Sequence, residues 1–442
     1  MKARALVLLV SSICAPTIYA HGQITCTTDT QNLACVLPTS AAVLAASAVA
    51  QTQSQAAQDA AIAAARKVSN AVNSSIGTQL TQLPIPSGSV GVVSIQKAGY
   101  PLGVPYENLG PILTDRPDTV GKHRIFAGFS YQHFNFNAID GISLGNLQVG
   151  FQNPQIVQIG NQPPDLQEVS SSESIKVRFQ LDQYVGLATY GLTSTTDISI
   201  AVPYSNVSLS ALSSNFKAYL YDSNSLQYQN VSLPAGTTIS SSGTAHGIGD
   251  VIVNVKQELL GGEGRRPAIA AGFDVRFPTG DAVNYLGSGA YGYNLYGLFE
   301  YRRKVSPHFK MGYQWNSKSV LVTGPTNTEA SLPGGLQYDV GADYSVFRRL
   351  TLAADVLGSQ FVNSPSLVNS QLPFSPDLPT SGFPALDTVA STTTTYTTSN
   401  ISAGAKFHLS RHWTLYGNVL VPLNNAGLRS DPVPLGGVSF NR

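Results

Sequence analysis

Between Ser174 and Tyr190 hydrophobic and polar residues alternate. Ile175, Val177, Phe179, Leu181, Val185 and Leu187 fall on one phase of a period-two pattern, and Lys176, Arg178, Gln180, Asp182 and Tyr184 fall on the other. This is a strand with an oily face and a wet one. An ordinary globular strand runs about five or six residues, whereas a tilted strand crossing a bilayer needs roughly nine to eleven. The length therefore predicts a membrane-crossing strand, against the plainer reading of a long strand in a soluble sandwich.

The same alternation recurs along the chain and predicts about twelve strands, near 123–137, 174–191, 197–204, 247–259, 267–277, 291–303, 308–316, 335–346, 350–360, 398–409, 412–422 and 433–440. Tight connections such as Thr193–Thr196, Lys304–Pro307, Phe347–Arg349 and Ser410-Arg411 alternate with long ones such as 141–173, 205–245, 316–334 and 362–397. Short turns at one rim and long loops at the other are the wiring of an outer-membrane barrel, with both chain ends on the short-turn, periplasmic side. The expected fold class is all-β: a transmembrane antiparallel β-barrel of about twelve strands, preceded by an alanine-rich α-helix.

One phase carries no charge. It runs through Ile125, Ala127, Phe129 and Tyr131, then Val251, Val253 and Val255, then Phe309, Met311, Tyr313 and Trp315, and on to Trp413, Leu415, Val419 and Val421. An Arg or Lys at a bilayer midplane costs roughly 2–4 kcal/mol, so this purity predicts a face in contact with lipid. The opposite phase holds the expected pore-lining residues: Lys176, Arg178, Asp182, Lys256, Asp274, Arg276, Glu300, Asp339, Asp343, Asp355 and Lys406. Their signs nearly balance, so they either line a lumen without strong ion preference or pair across a packed interior that passes nothing.

Composition sharpens this picture. Only 12% of the 442 residues are charged and the net charge is +1, which leaves no basic excess for nucleic acid. Lys2 and Arg4, the apolar run 5–10 and the small-residue end Ile18-Tyr19-Ala20 predict a signal peptide over 1–20, and hence export. In an oxidising compartment Cys26 and Cys35 are expected to form a disulfide, the alternative being two free thiols. Residues 21–120 read as a periplasmic region: an alanine-rich helix from about Thr39 to Val72, then a proline-rich linker. The helix could be a periplasmic arm, a coil that joins copies into a homo-oligomer, a plug, or a mobile leader. Residues 121–442 read as the barrel.

Four strings add a resemblance. Tyr190-Gly191-Leu192-Thr193 with Asp197 and Val202-Pro203-Tyr204, GIGDVIVNVKQELL from Gly247, VRFPTGD from Val275 and VLVPLNNAGLR from Val419 are similar to the outer-membrane barrels of the meta-pathway phenol-degradation family. The resemblance spans about 121–440 and leaves out the alanine-rich leader. It implies an outer-membrane channel or transporter that helps small hydrophobic or aromatic solutes enter. The chain departs from a usual barrel terminus, because Asn441-Arg442 follow Phe440.

An outer-membrane phospholipase is the rival of another class. His133 lies on the lipid phase, but Asn135 follows two residues on and no hydroxyl nucleophile comes after it in that strand, so a girdle histidine is the better reading. His308, His408 and His412 lack metal-ligand spacing, and Gly247-Ile248-Gly249-Asp250 lacks the third glycine and the helix of a dinucleotide loop. The expectation is a channel with no turnover chemistry, no metal and no cofactor, whose partners are membrane lipid and a small hydrophobic or aromatic solute. The third alternative is a structural or adhesive barrel that displays its long loops.

Overall fold

The computed structural model describes residues 32–38, 70–87, 109–157, 165–222, 227–230, 236–261, 267–301, 303–323, 329–372, 386–410 and 412–442. The signal segment, Cys26 and the alanine-rich tract 39–69 lie outside the described residues. Twelve antiparallel strands form a closed barrel. They are β1 (Ile125–Ile139), β2 (Asp165–Gly191), β3 (Thr196–Asp222), β4 (Ile239–Ile248 and Val251–Leu260), β5 (Pro267–Phe277) and β6 (Gly292–Tyr301). The ring continues through β7 (Val305–Asn316), β8 (Gly335–Phe347), β9 (Leu350–Gln371), β10 (Asp387–His408), β11 (Trp413–Pro422) and β12 (Val433–Asn441).

Each strand pairs with its neighbour in sequence, and the ring shuts where β1 meets β12 from Phe126↔Asn441 to Gln132↔Leu435. Closure leaves no edge whose backbone groups would face lipid unpaired. The tight connections gather at one rim together with the start of β1 and the end of β12, and the long ones gather at the other. These are called here the turn rim and the loop rim. Both members of β2–β3 run 27 residues and both members of β9–β10 run 22, so these two hairpins rise past their neighbours at the loop rim.

Side chains of the uncharged phase point outward. Ile125, Phe129, Val255, Phe273, Leu295, Met311, Val340, Val356, Ile401 and Val419 are all exposed on that face. Tyr and Trp gather toward its ends: Tyr293, Tyr313 and Trp315 near the loop rim, Tyr190, Tyr344 and Trp413 near the turn rim. Rings also fill the gaps left by glycines across the ladder. Tyr338 lies over Gly358, Tyr296 over Gly272 and Tyr416 over Gly437, each pair in register. A Cβ at Gly358 would stand 2.1 Å from the Tyr338 ring, so that position has room for hydrogen alone.

The described N-terminal residues occupy the interior. Residues 70–80 are helical, so the helix runs past the expected end at Val72. Ser74, Ser75 and Gly77 are poor helix formers, but packing overrides propensity: Ile76 is buried, and Gly77 closes on Leu321 and Leu332 beneath the loop rim. Over 70–80 the apolar side chains are spent against the barrel, while the stretch 39–69, on which the expectation of a helix joining copies of the chain rests, lies outside the described residues. Leu33 N donates to Asn284 at the loop rim (3.1 Å), and the Thr119 hydroxyl donates to the Ser194 carbonyl at the turn rim (2.9 Å). The segment before β1 thus has contacts at both ends of the barrel.

Candidate functional site: the barrel interior

At the turn rim, residues 109–120 are held by charge. Arg116 donates to Glu300 on β6 (2.9 Å) and lies 3.5 Å from Asp118. Gly110 has a φ of +74°, and a Cβ there would stand 2.4 Å from Arg116 Cδ, so the Arg116 side chain occupies space that only glycine leaves open. Burial opposes the guanidinium's charge, but Glu300 and then Asp118 more than offset it and hold its proton above the ordinary range. Lys256 on β4 donates to the Arg116 carbonyl (2.9 Å) and pairs with Asp115 (3.3 Å). Lys406 on β10 donates to the carbonyls of Leu109 (3.1 Å) and Pro111, and Asp197 on β3 accepts from Val120 N (2.8 Å). Beside them His308 on β7 bridges Asp343 (3.1 Å) and Asp355 (2.5 Å).

Above this floor lies a cavity of about 230 Å³. Asp274, Arg276, Lys310, Gln314, Gln337 and Asp339 form one wall, and Leu83, Ile85, Phe134, Phe136, Leu357 and Leu420 are among the apolar residues of the rest. Arg276 is engaged by Asn316 (2.6 Å), the Thr81 carbonyl (3.2 Å) and Asp250 (3.7 Å). Asp274 accepts from Asn254 (2.5 Å) and Asn294 (3.1 Å), and the Lys310 ammonium sits 4.5 Å from the Tyr296 ring centroid. Gln82 joins the N-terminal segment to the wall by hydrogen bonds to Gln314 and Gln337, both 3.0 Å.

Toward the loop rim the interior becomes apolar. Phe136 stacks on Phe179 with centroids 4.7 Å apart and on Phe134 at 5.7 Å, and Phe179 meets Tyr285 at 5.8 Å. Leu147, Leu181, Val207 and Leu209 belong to the same buried cluster. Glu173 and Arg429 are charged residues buried in this region. Burial pushes the Glu173 carboxyl up to about 8, against a hydrogen bond with Ser213 that pulls the other way.

The predicted pore-lining residues divide into three groups. Asp274, Arg276 and Asp339 border the cavity. Lys256, Glu300, Asp343, Asp355 and Lys406 also point inward but are buried in the floor, where the first two and Lys406 bind the N-terminal segment. Lys176, Arg178 and Asp182 correct the expectation, because they point out of the barrel while Ile175, Val177, Phe179 and Leu181 point in. The cause is position along the strand: this half of β2 pairs with 204–214 of β3 beyond Tyr184 and Tyr204, where the outer face carries exposed polar side chains and the inner face meets a packed core. Asp182 accepts there from Tyr131 (2.7 Å) and lies 2.8 Å from His133 Nδ1, so the girdle histidine has a carboxylate partner.

Lys310, Gln314 and Gln337 were absent from the predicted set, although Lys310 alternates with Phe309 and Met311 and its phase marks it as inward. Asp115 and Arg116 have no such signal, since they sit in an irregular segment without a period. Cys35 is disulfide-bonded, and Cys26 is outside the described residues. No group of three or more potential metal ligands occurs among the described residues.

The motif strings have structural work. Asp250 accepts from Ser288 N (2.7 Å), the Ser288 hydroxyl (2.6 Å) and Gly280 N (3.2 Å), and the Thr279 hydroxyl donates to the Gly249 carbonyl (2.7 Å). GIGD and PTGD therefore lock the break in β4 to the β5–β6 loop.

Several solved structures overlap with the chain. An outer membrane channel from Pseudomonas putida F1 does so over 74% of this chain and 98% of its own, at 13% identity and a TM-score of 0.44. The NanC porin covers 67% of this chain and 98% of its own at 9% identity and a TM-score of 0.32. The TodX monoaromatic hydrocarbon channel covers 74% and 92% at 11% identity and a TM-score of 0.32. Overlaps this loose leave the strand pairing of the chain itself as the ground for its fold. No curated protein matches the chain. Residues 169–365 match the family model described as putative MetA-pathway of phenol degradation, so from β2 into β9 this closed twelve-stranded barrel carries the pattern of that family.

Proposed function

We propose that the protein is a channel of the bacterial outer membrane for passive uptake of small hydrophobic or aromatic solutes. The observation that carries this reading is the closed ring with an uncharged outward belt, an arrangement that costs a water-facing surface its solubility and gains its stability only in lipid. The solute class is supported by the interior. The aromatic cluster of Phe134, Phe136 and Phe179 leads to a cavity with one apolar side and one polar side, which suits a flat apolar body carrying a small polar group. The family description points the same way.

Residues 109–120 form a floor under this cavity, so passage requires them to shift. Liposome swelling with a graded series of solutes tests the reading: swelling should favour small aromatics over sugars of similar size and speed up when residues 21–120 are removed behind the retained signal. The tall β2–β3 and β9–β10 hairpins favour a second reading, a barrel that displays its loops. Absence of swelling in both forms, with the barrel folded, would leave that reading in place of the channel.

A further inference from the structure

The turn rim carries an arc of cations on three of its turns. Arg303 and Lys304 stand between β6 and β7, Arg348 and Arg349 between β8 and β9, and Arg442 and Arg124 where β12 meets β1; all are exposed except Arg124, which is half-buried. These turns are neighbours, joined backbone to backbone: Ser345 N donates to the Lys304 carbonyl (3.0 Å), His408 N to the Arg349 carbonyl (2.8 Å), Asn441 N to the His412 carbonyl (3.0 Å) and Ile125 N to the Arg442 carbonyl (3.1 Å). Among the described residues of 121–125, 301–305, 345–350, 408–413 and 440–442 there is no Asp or Glu. A chain with a net charge of +1 has thus collected cations along one side of one rim.

The arc borders the lipid-facing belt. Arg303 stacks over Tyr301 at 4.7 Å and donates to its hydroxyl (2.8 Å), and Lys304 lies 5.4 Å from the Tyr344 ring centroid. Tyr344, Phe347 and Trp413 are exposed directly beside it. Cations anchored on interfacial rings stand at the depth of lipid headgroups. Guanidinium is matched to phosphate by its planar fork of donors and keeps its charge at any ordinary pH.

We infer that this arc binds the phosphate groups of anionic glycerophospholipids in the leaflet facing the short turns. The inference rests on the membrane reading above but not on transport. Full-length protein should be purified from cells, exchanged into nanodiscs of phosphatidylcholine alone or mixed equally with phosphatidylglycerol, and the lipids in direct contact counted by native mass spectrometry. Phosphatidylglycerol should be enriched by at least about fivefold, the preference of one such cation for an anionic surface. The enrichment should fall in 0.5 M salt and in the quadruple variant R303Q/K304Q/R348Q/R349Q, while thermal unfolding in the neutral discs stays unchanged. Equal occupancy of the two lipids, or enrichment that survives in the variant, overturns the proposal. Enrichment in a protein that causes no swelling would uphold the proposal and count only against the channel, whereas a barrel that enters neither disc would end the membrane reading and this inference with it.

Discussion

Arg116 reaches from an irregular segment to Glu300 on the barrel wall, and both side chains are almost wholly buried. Removing one partner of such a pair leaves the other charge in a poor solvent and costs about 3–5 kcal/mol. Arg116→Ala should therefore loosen residues 109–120, seen as new protease cleavage there and as larger single-channel conductance in planar bilayers. Unchanged conductance together with cleavage would mean that the floor is not what closes the barrel. Glu173 offers a pH-dependent counterpart. Its carboxyl is raised in the folded protein, so the folded state holds a proton that the unfolded chain has already lost. Stability should be full below the ordinary carboxylate range and decline as the pH rises toward about 8. Glu173→Gln should flatten that part of the profile in denaturant titrations of the reconstituted barrel, and an unchanged slope would place the titration elsewhere. The sequence marked Glu300 through its phase on β6 but gave no mark to Arg116, whose partner lies 184 positions away and is met only on folding. A pairing of that kind has no local period to reveal it.

At the scale of the strand, alternation was enough to place most side chains. On β8 Val340 faces out and its neighbours Asp339 and Gly341 face in, as the period requires. Val340→Arg should destabilise the barrel in phospholipid vesicles by about 2–4 kcal/mol, measured as a lower urea midpoint. Gly358→Ala should cost about 1–3 kcal/mol, since its methyl would meet the Tyr338 ring, and trimming that ring in Tyr338→Ala/Gly358→Ala should recover part of the loss. Failure of the double variant to recover would show that the backbone, not the ring, is what excludes a side chain. Charge was the wrong guide to phase on β2. Lys176 and Arg178 look like lumen residues because the lower strands hide their charges inside, yet this strand leaves the belt near Tyr184 and its environments exchange beyond that point. Neutralising Lys176 and Arg178 should accordingly leave conductance and ion selectivity as they were, measured in the same bilayers.

For the whole molecule, a period of two, strand lengths and the alternation of short and long connections were present in the sequence, and they determined a twelve-stranded barrel, its uncharged outer face and the rim on which both ends of the barrel lie. Each is a local property, repeated strand after strand, and needs no knowledge of what lies across the ring. Three features were decided only by tertiary structure: the described N-terminal residues pack into the interior, the inward charges are mostly bound to them or to one another, and the upper interior is oily. They depend on which surfaces meet when the sheet curls shut, and a buried charge or an apolar wall acquires its meaning from the neighbour opposite, which for Lys406 and Leu109 stands 297 residues away along the chain.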